Sequence, residues 1–200
     1  MGNIYTKKYN GIKQKETNAY QPPTELVFTD ENNQELINSN YTVEQFTLDG
    51  QTLFGKVVYV YDGDTVHCVI NLNNKLTKFI CRLNGIDSPE ICPKNIPVPE
   101  ARKQEIESAV RSRNYLIEQV TGQKLENEHM TKNEIKEYLA HSTKLIYIHF
   151  LHFDKYGRAL VEIYTDNKSK TTINQDMLDK KYAISYNGGT KKAFDTKNFN

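Results

Sequence analysis

The sequence predicts an α+β domain built on five short strands, and three observations predict it. Apolar and polar residues alternate in three segments between 53 and 83 and in two more between 145 and 165. Helical spacing replaces alternation between these groups and again near 173. Turn residues punctuate the segments at Asp62-Gly63, Asn73-Asn74 and Asp154 to Gly157. Strands with helices interposed and appended suit an α+β fold and are compatible with a small barrel; periodicity leaves closure open.

The chain has 200 residues, enough for one domain and an extension. Residues 1–20 carry Lys7, Lys8, Lys13 and Lys15 against Glu16. Residues 21–50 carry Glu25, Asp30, Glu31, Glu35, Glu44 and Asp49 with no Lys or Arg, so the remaining 150 positions hold 22 of the 26 basic residues and 18 of the 25 acids. This shift predicts an extension over 1–50, basic in 1–20 and acidic in 21–50, then a mildly basic body over 51–190 and a short tail over 191–200. Glu31-Asn32-Asn33-Gln34 lacks apolar periodicity, so the extension is expected to be loosely ordered.

In the body, Leu53 to Tyr61 is rich in Val, Tyr and Phe and stops at Asp62-Gly63. Thr65 to Leu72 places Val66, Cys68, Ile70 and Leu72 on one face. Phe79, Cys81 and Leu83 alternate along a third strand, with Arg82 on the opposite face. Pro93, Pro97 and Pro99 enforce an irregular loop. From Glu100 to about Val120, residues Ile106, Ala109, Val110, Leu116, Ile117 and Val120 follow helical spacing. Thr131 and Glu134 form the signature of a capping box before Ile135, Tyr138 and Leu139. Leu145 to Leu151 and Arg158 to Thr165 complete the strands, and Ile173, Met177 and Leu178 mark a last short helix.

Several function classes are excluded early. No stretch approaches the ~20 apolar residues of a membrane span. Met1 to Asn10 has no apolar run, so no secretory leader is expected and the protein is predicted to be not classically secreted. Three cysteines, none in a Cys-x-x-Cys pair, give neither a disulfide framework nor a zinc ribbon. Cys68 and Cys81 are expected to be buried thiols, and Cys92 an exposed one. The five histidines show no metal-ligand spacing.

Charged residues gather where the strands end. Asp62 and Asp64 flank Gly63 at a hairpin tip, Asp87-Ser88-Pro89-Glu90 follows the third strand, and Arg158 opens the last strand. Oxygen donors without paired His or Cys favour Ca²⁺ or Mg²⁺ over zinc. Arginines beside such a cation suit a phosphate, which they clamp with two hydrogen bonds each. A hydrated cation, one spare carboxylate and two arginines suit phosphodiester hydrolysis. Each element alone reads as ordinary turn or surface chemistry; the set does not.

Asp-Gly-Asp-Thr at 62–65, Arg82, Ile-Asp-Ser-Pro-Glu at 86–90 and Asp-Lys-Tyr-Gly-Arg at 154–158 resemble the staphylococcal nuclease (thermonuclease) family in order and residue type. The resemblance spans roughly Leu53 to Tyr186 and takes in Pro99-Glu100-Ala101 and Ile173-Asn174-Gln175. It implies a five-stranded OB-type β-barrel with packed helices and a Ca²⁺-dependent nuclease acting on DNA and perhaps RNA, leaving 3′-phosphate ends. Asp64, Asp87 and the Ser88 carbonyl are then the metal ligands, and Asp62 orients water on the metal. Glu90 positions or deprotonates the attacking water, and Arg82 and Arg158 grip the phosphate. Tyr156 and Tyr186 resemble tyrosines that contact nucleotide phosphates. The chain departs from the family pattern by an insertion at about 122–143, by the extension and by a C-terminus too short for the usual final helix. The alternative is a non-catalytic OB-type module that binds nucleic acid or protein; the presence of Asp64, Arg82, Asp87, Glu90 and Arg158 favours the enzyme. Nothing in the sequence points to a protein partner.

The N-terminus carries a separate signal. Met1-Gly2-Asn3-Ile4-Tyr5-Thr6 fits the pattern for N-myristoylation of Gly2. One acyl chain binds membranes only marginally, and Lys7, Lys8, Lys13 and Lys15 supply a second, electrostatic attraction. The expected location is therefore cytoplasmic, or membrane-tethered through acylated Gly2.

Overall fold

Asn73 and Asn74 both adopt left-handed backbone, with φ of 50° and 62°, the geometry a two-residue hairpin turn demands. They join β2 (Thr65–Leu72) to β3 (Lys75–Leu83), which starts four residues before the alternation suggested. A computed structural model describes residues 30–94 and 96–189. With β1 (Thr52–Val60), β5 (Ile146–Phe153) and β6 (Ala159–Tyr164), these strands close into a five-stranded barrel in the order β1-β2-β3-β6-β5. Only β3 and β6 run parallel; the other pairs are antiparallel. The fold is therefore the α+β, OB-type barrel with packed helices that the resemblance implies.

Alternation fills the barrel. Val57, Val66, Cys68, Ile70, Cys81, Ile146, Ile148, Phe150, Val161 and Ile163 point inward and are almost fully buried. Cys68 and Cys81 are buried free thiols and Cys92 is exposed, as expected. The helix α2 (Pro99–Thr121) starts with Pro at its first position and stops at Gly122, whose φ of 70° suits the left-handed cap. It buries Ala109, Leu116, Ile117 and Val120.

The helix α3 (Lys132–His141) opens with the capping box: Thr131 Oγ1 accepts from Glu134 N, and Thr131 N donates to Glu134 Oε2. Ile135 and Leu139 are its buried side, and Lys56 Nζ donates to the Ala140 carbonyl at 2.8 Å, opposing the negative end of the helix dipole.

The last helix, α4 (Ile173–Asp179), carries the buried Asn174. Its Oδ1 accepts from Ile163 N at 3.2 Å, and its Nδ2 donates to the Val161 and Asn84 carbonyls at 3.0 and 2.9 Å. One side chain thus ties α4 to β6 and to the turn that separates Arg82 from Asp87.

Two features differ from expectation. Ile86-Asp87 (β4) pairs with Ile184-Ser185 (β7) in a small second sheet, too short to show as alternation. The acidic segment contains a helix, α1 (Asp30–Asn38), where a loosely ordered chain was expected. Leu36 and Ile37 are exposed on it, and Gln34 Nε2 donates to Asn38 Oδ1 at helical spacing, so local bonding rather than a buried stripe accompanies it. The chain divides into two units between Gln45 and Phe46, and α1 belongs to the first. No helix among the described residues is long and apolar enough to cross a membrane. Gly2 and the four lysines near it lie outside the described residues, as does the 191–200 tail.

Candidate active site

The turn between β1 and β2 is set by packing. Tyr61 N donates to the Thr65 carbonyl at 2.9 Å, closing the loop, and Asp62 Oδ1 accepts from Asp64 N at 3.2 Å. A Cβ on Gly63 would lie 1.8 Å from Ser112 Oγ and 2.8 Å from Ser88 Cβ. Only glycine lets this turn sit between α2 and the segment after β4. The Asp-Gly pair is therefore more than hairpin chemistry.

Arg82, on the outward face of β3, binds two buried acids at once. Its Nη1 donates to Asp64 Oδ1 at 2.7 Å and its Nη2 to Asp87 Oδ1 at 2.8 Å. Nη2 also reaches the Ile86 carbonyl at 3.3 Å. Thr65 Oγ1 donates to Asp64 Oδ1 at 2.8 Å, and Ser88 N donates to Asp64 Oδ2 at 3.2 Å. Asp64, Asp87 and Ser88 are 1%, 0% and 1% exposed.

Burial raises the Asp64 carboxyl above its usual range, and Asp87 adds to this; Arg82, Thr65 and the Ser88 amide offset only part. Asp62 is pushed well above the usual carboxylate range, first by burial and then by the charge of Asp64. Burial disfavours the Arg82 charge, but Asp64, Asp87 and Asp62 outweigh it and hold the guanidinium protonated.

A cleft of about 770 Å³ opens beside this cluster, and Asp62, Thr65, Arg82, Glu90, Arg158 and Tyr186 line it. Tyr156 lines it too, 73% exposed, with the Arg158 guanidinium 5.6 Å from its ring centre. Arg158 is held by Asp154, whose Oδ2 accepts from both Nε and Nη2 at 2.8 Å. The Asp154 carboxyl is lowered: burial opposes its charge, but the amides of Arg158 and Tyr156 and the guanidinium outweigh burial. Tyr186 lies 5.7 Å from the Arg82 guanidinium, and its amide donates to the Gly85 carbonyl at 2.9 Å.

Six of the residues singled out in the sequence, Asp62, Arg82, Glu90, Tyr156, Arg158 and Tyr186, therefore share one cleft. Asp64, Asp87 and Ser88 lie buried beside it, joined to it through the Arg82 hydrogen bonds and the Asp64–Ser88 contact.

The sequence reading missed two positions, Glu105 and Ser112, and gave no role to a third, Asp154. Glu105 of α2 accepts from Glu90 N at 3.3 Å and fixes that loop. Ser112 of α2 leaves room for nothing larger than Gly63. Asp154 orients Arg158, and its position four residues before an arginine in a tight turn was the available signal.

The donor chemistry fits a hard divalent cation. Asp62, Asp64 and Asp87 bring three carboxylates into a buried space with the Arg82 guanidinium between two of them; burial first, and then the neighbouring carboxylates, raise Asp62 and Asp64, so their charged forms lack the solvation that a cation would replace. Among the described residues no three His, Cys, Asp or Glu side chains surround one point. Protein carboxylates would thus supply part of the shell, with backbone oxygen and water the rest, as Ca²⁺ sites allow.

The family profile of staphylococcal nuclease homologues matches residues 80–199. An uncharacterized protein of Methanocaldococcus jannaschii is 33% identical over 153 residues, which cover 74% of this chain and 65% of that protein.

Proposed function

The chain belongs to the staphylococcal nuclease homologue family, and on that premise we propose that its cleft hydrolyses phosphodiester bonds of DNA, and of RNA, in a Ca²⁺-dependent reaction. The observation that carries the reading is the meeting of Glu90, Arg82 and Arg158 in one cleft, against the buried Asp64–Arg82–Asp87 network. Asp64, Asp87 and the Ser88 carbonyl would hold Ca²⁺, which supplies Lewis-acid stabilisation of a phosphoryl oxygen when bound.

The remaining roles belong to side chains of the chain itself. Arg158, fixed by Asp154 and backed by Tyr156, binds a non-bridging phosphate oxygen and neutralises the charge that grows there. Arg82 contributes a second, permanently charged guanidinium whose position two carboxylates determine. Glu90, anchored through its amide to Glu105, orients a water for in-line attack and accepts its proton. Asp62 keeps the turn closed by accepting from the Asp64 amide and, by family analogy, would orient water on the metal. Tyr156 and Tyr186 face the substrate backbone. By family analogy the 5′ oxygen leaves and the product carries a 3′-phosphate.

The test is cleavage of single-stranded and duplex DNA and RNA by the full chain, with millimolar Ca²⁺ or with chelator. Glu90→Gln is expected to lower the chemical step by ~10²-fold or more. Absence of Ca²⁺-dependent cleavage by folded protein refutes the reading in favour of an OB-type binding module. The N-terminal proposal is separate: mass spectrometry of protein from its native host should find Gly2 myristoylated, and an unmodified terminus refutes membrane tethering.

A further inference from the structure

Three lysines converge on one aromatic pair away from the cleft. The ammonium groups of Lys132 and Lys136 each lie 5.6 Å from the ring centre of Tyr59, and that ring meets His67 edge-on with centroids 5.2 Å apart. Tyr59 and His67 are register partners on β1 and β2. Lys78 of β3 is near enough to act on His67: burial lowers the imidazole pKa first, and the charges of Lys78, Lys132 and Lys136 lower it further. All three lysines are exposed and, among the described residues, none donates a hydrogen bond or makes an ion pair.

Other lysines of the body do structural work. Lys56 bonds the end of α3, and Lys144 Nζ donates to the Gln119 carbonyl at the end of α2. Lys132, by contrast, occupies the first position of α3, where the helix dipole opposes a cation. Lys132 and Lys136 are one turn apart, beside the buried Ile135 and Leu139, whereas Glu134 and Glu137 project from the far side. The arrangement concentrates positive charge on one stripe at a cost to the helix. The Tyr59 ring offsets part of that cost, but among the described residues both ammonium groups keep their hydrogen-bonding capacity unmatched, which suits an anionic ligand.

The stripe also has a direction. Lys78, Ile80 and Arg82 alternate onto one face of β3, opposite Val69, His67 and Thr65 of β2. That face runs from the cleft at Arg82 to Lys78, four residues or about 14 Å along the strand, roughly four base steps of duplex rise. OB-type barrels use the face of these strands for oligonucleotides.

We propose that Lys78, Lys132 and Lys136, grouped around Tyr59 and His67, form a second phosphate-binding patch that holds the backbone of a nucleic acid strand where it leaves the cleft. The patch deepens the nuclease reading and rests on it. Its occupant is chosen by charge: three clustered cations without acidic partners match consecutive phosphates, and the half-buried His67 ring stays neutral beside them. The helix that supplies two of the lysines lies in the 122–143 insertion, so the patch extends the substrate footprint beyond the cleft.

The experiment measures binding of fluorescein-labelled DNA of about 20 nucleotides, single-stranded and duplex, to the full chain in chelator, across a salt series. K78Q/K132Q/K136Q is compared with K103Q/K168Q/K170Q, which removes the same charge elsewhere. The patch variant is expected to flatten the dependence of log affinity on log salt by about 2 on single strands and about 3 on duplex, while the control stays close to wild type. K78R/K132R/K136R is expected to keep the wild-type slope, which a packing defect would not. Equal slopes in the two glutamine variants, or no binding by wild type, overturn the patch. Binding with the expected slopes but no cleavage in Ca²⁺ overturns the nuclease reading and leaves the patch standing.

Discussion

Gly63→Ala probes the packing that places the Asp62–Asp64 turn. The new methyl would lie 1.8 Å from Ser112 Oγ, 2.8 Å from Ser88 Cβ and 2.9 Å from Ser112 Cβ. None of these neighbours is the far end of a flexible chain. Ser112 is fully buried, and its Oγ donates to the Tyr182 carbonyl at 2.7 Å. Overpacking of this kind costs ~1–3 kcal/mol, and displacing the serine hydroxyl adds ~1 kcal/mol for the lost hydrogen bond. The expected loss is therefore about 2–4 kcal/mol, read from the urea midpoint at constant m-value. Gly63→Ala/Ser112→Gly removes two of the three close contacts, so the pair should couple by at least ~1 kcal/mol relative to the sum of the single variants. A shift of the turn by ~1 Å should also lower cleavage by ~10²-fold. Stability within ~0.5 kcal/mol of wild type would refute the argument, because a surface substitution does no more than that.

Asn174→Ala removes the partner of one buried amide and two carbonyls, so urea unfolding should show a loss of about 2–4 kcal/mol, with cleavage falling because Asn84 adjoins the Arg82–Asp87 turn. Asp62→Asn should stabilise the metal-free protein at neutral pH. The native carboxyl is raised by burial and Asp64, so its favourable contribution is present below the unfolded pKa and lost as pH rises through the native one; a lower melting temperature in chelator would contradict this. Tyr115 is raised to about 12 by burial and by its hydrogen bond to Asp176, against the influence of Lys180. Its contribution to stability is complete below about pH 10 and is lost as pH rises through about 12; burial also raises Tyr59, Tyr61 and Tyr164, so ultraviolet titration should show a late fraction that Tyr115→Phe diminishes by one tyrosine.

What could be read from the sequence was what neighbouring residues encode. The Thr131–Glu134 capping box is an i,i+3 device, and it appears at the predicted position with both bonds formed. The β2–β3 hairpin follows from alternation and from two asparagines that tolerate positive φ. Arg82 stood out because a charge occupied a strand whose other face was apolar. Contacts across long separations were invisible. Gly63 meets Ser112 through the docking of α2, and the Glu105 carboxylate reaches Glu90 N only because the proline-rich loop turns the chain back. The β4–β7 pair offers two residues per strand, below any period a sequence can display. α1 lacked a signal for another reason: its apolar side chains are exposed, so no buried stripe recorded it.

The charged network explains why the site needs so rigid a frame. Buried carboxylates are costly: burial first, and then the neighbouring carboxylates, raise Asp62 and Asp64 even with Arg82 between Asp64 and Asp87. Left to itself, such a cluster would relax by moving apart or by taking up protons. Here it is prevented from moving: Gly63 is wedged between Ser88 and Ser112, Asn174 ties the Arg82–Asp87 turn to α4, and β4 pairs with β7. The favourable energy resides in the barrel core and the helices packed on it, and part of it is spent holding negative charge in a small volume. On the proposed reading, a divalent cation bound there would offset that cost directly, whereas a phosphate would be drawn by the Arg82 and Arg158 guanidiniums and by the cation rather than by the carboxylates.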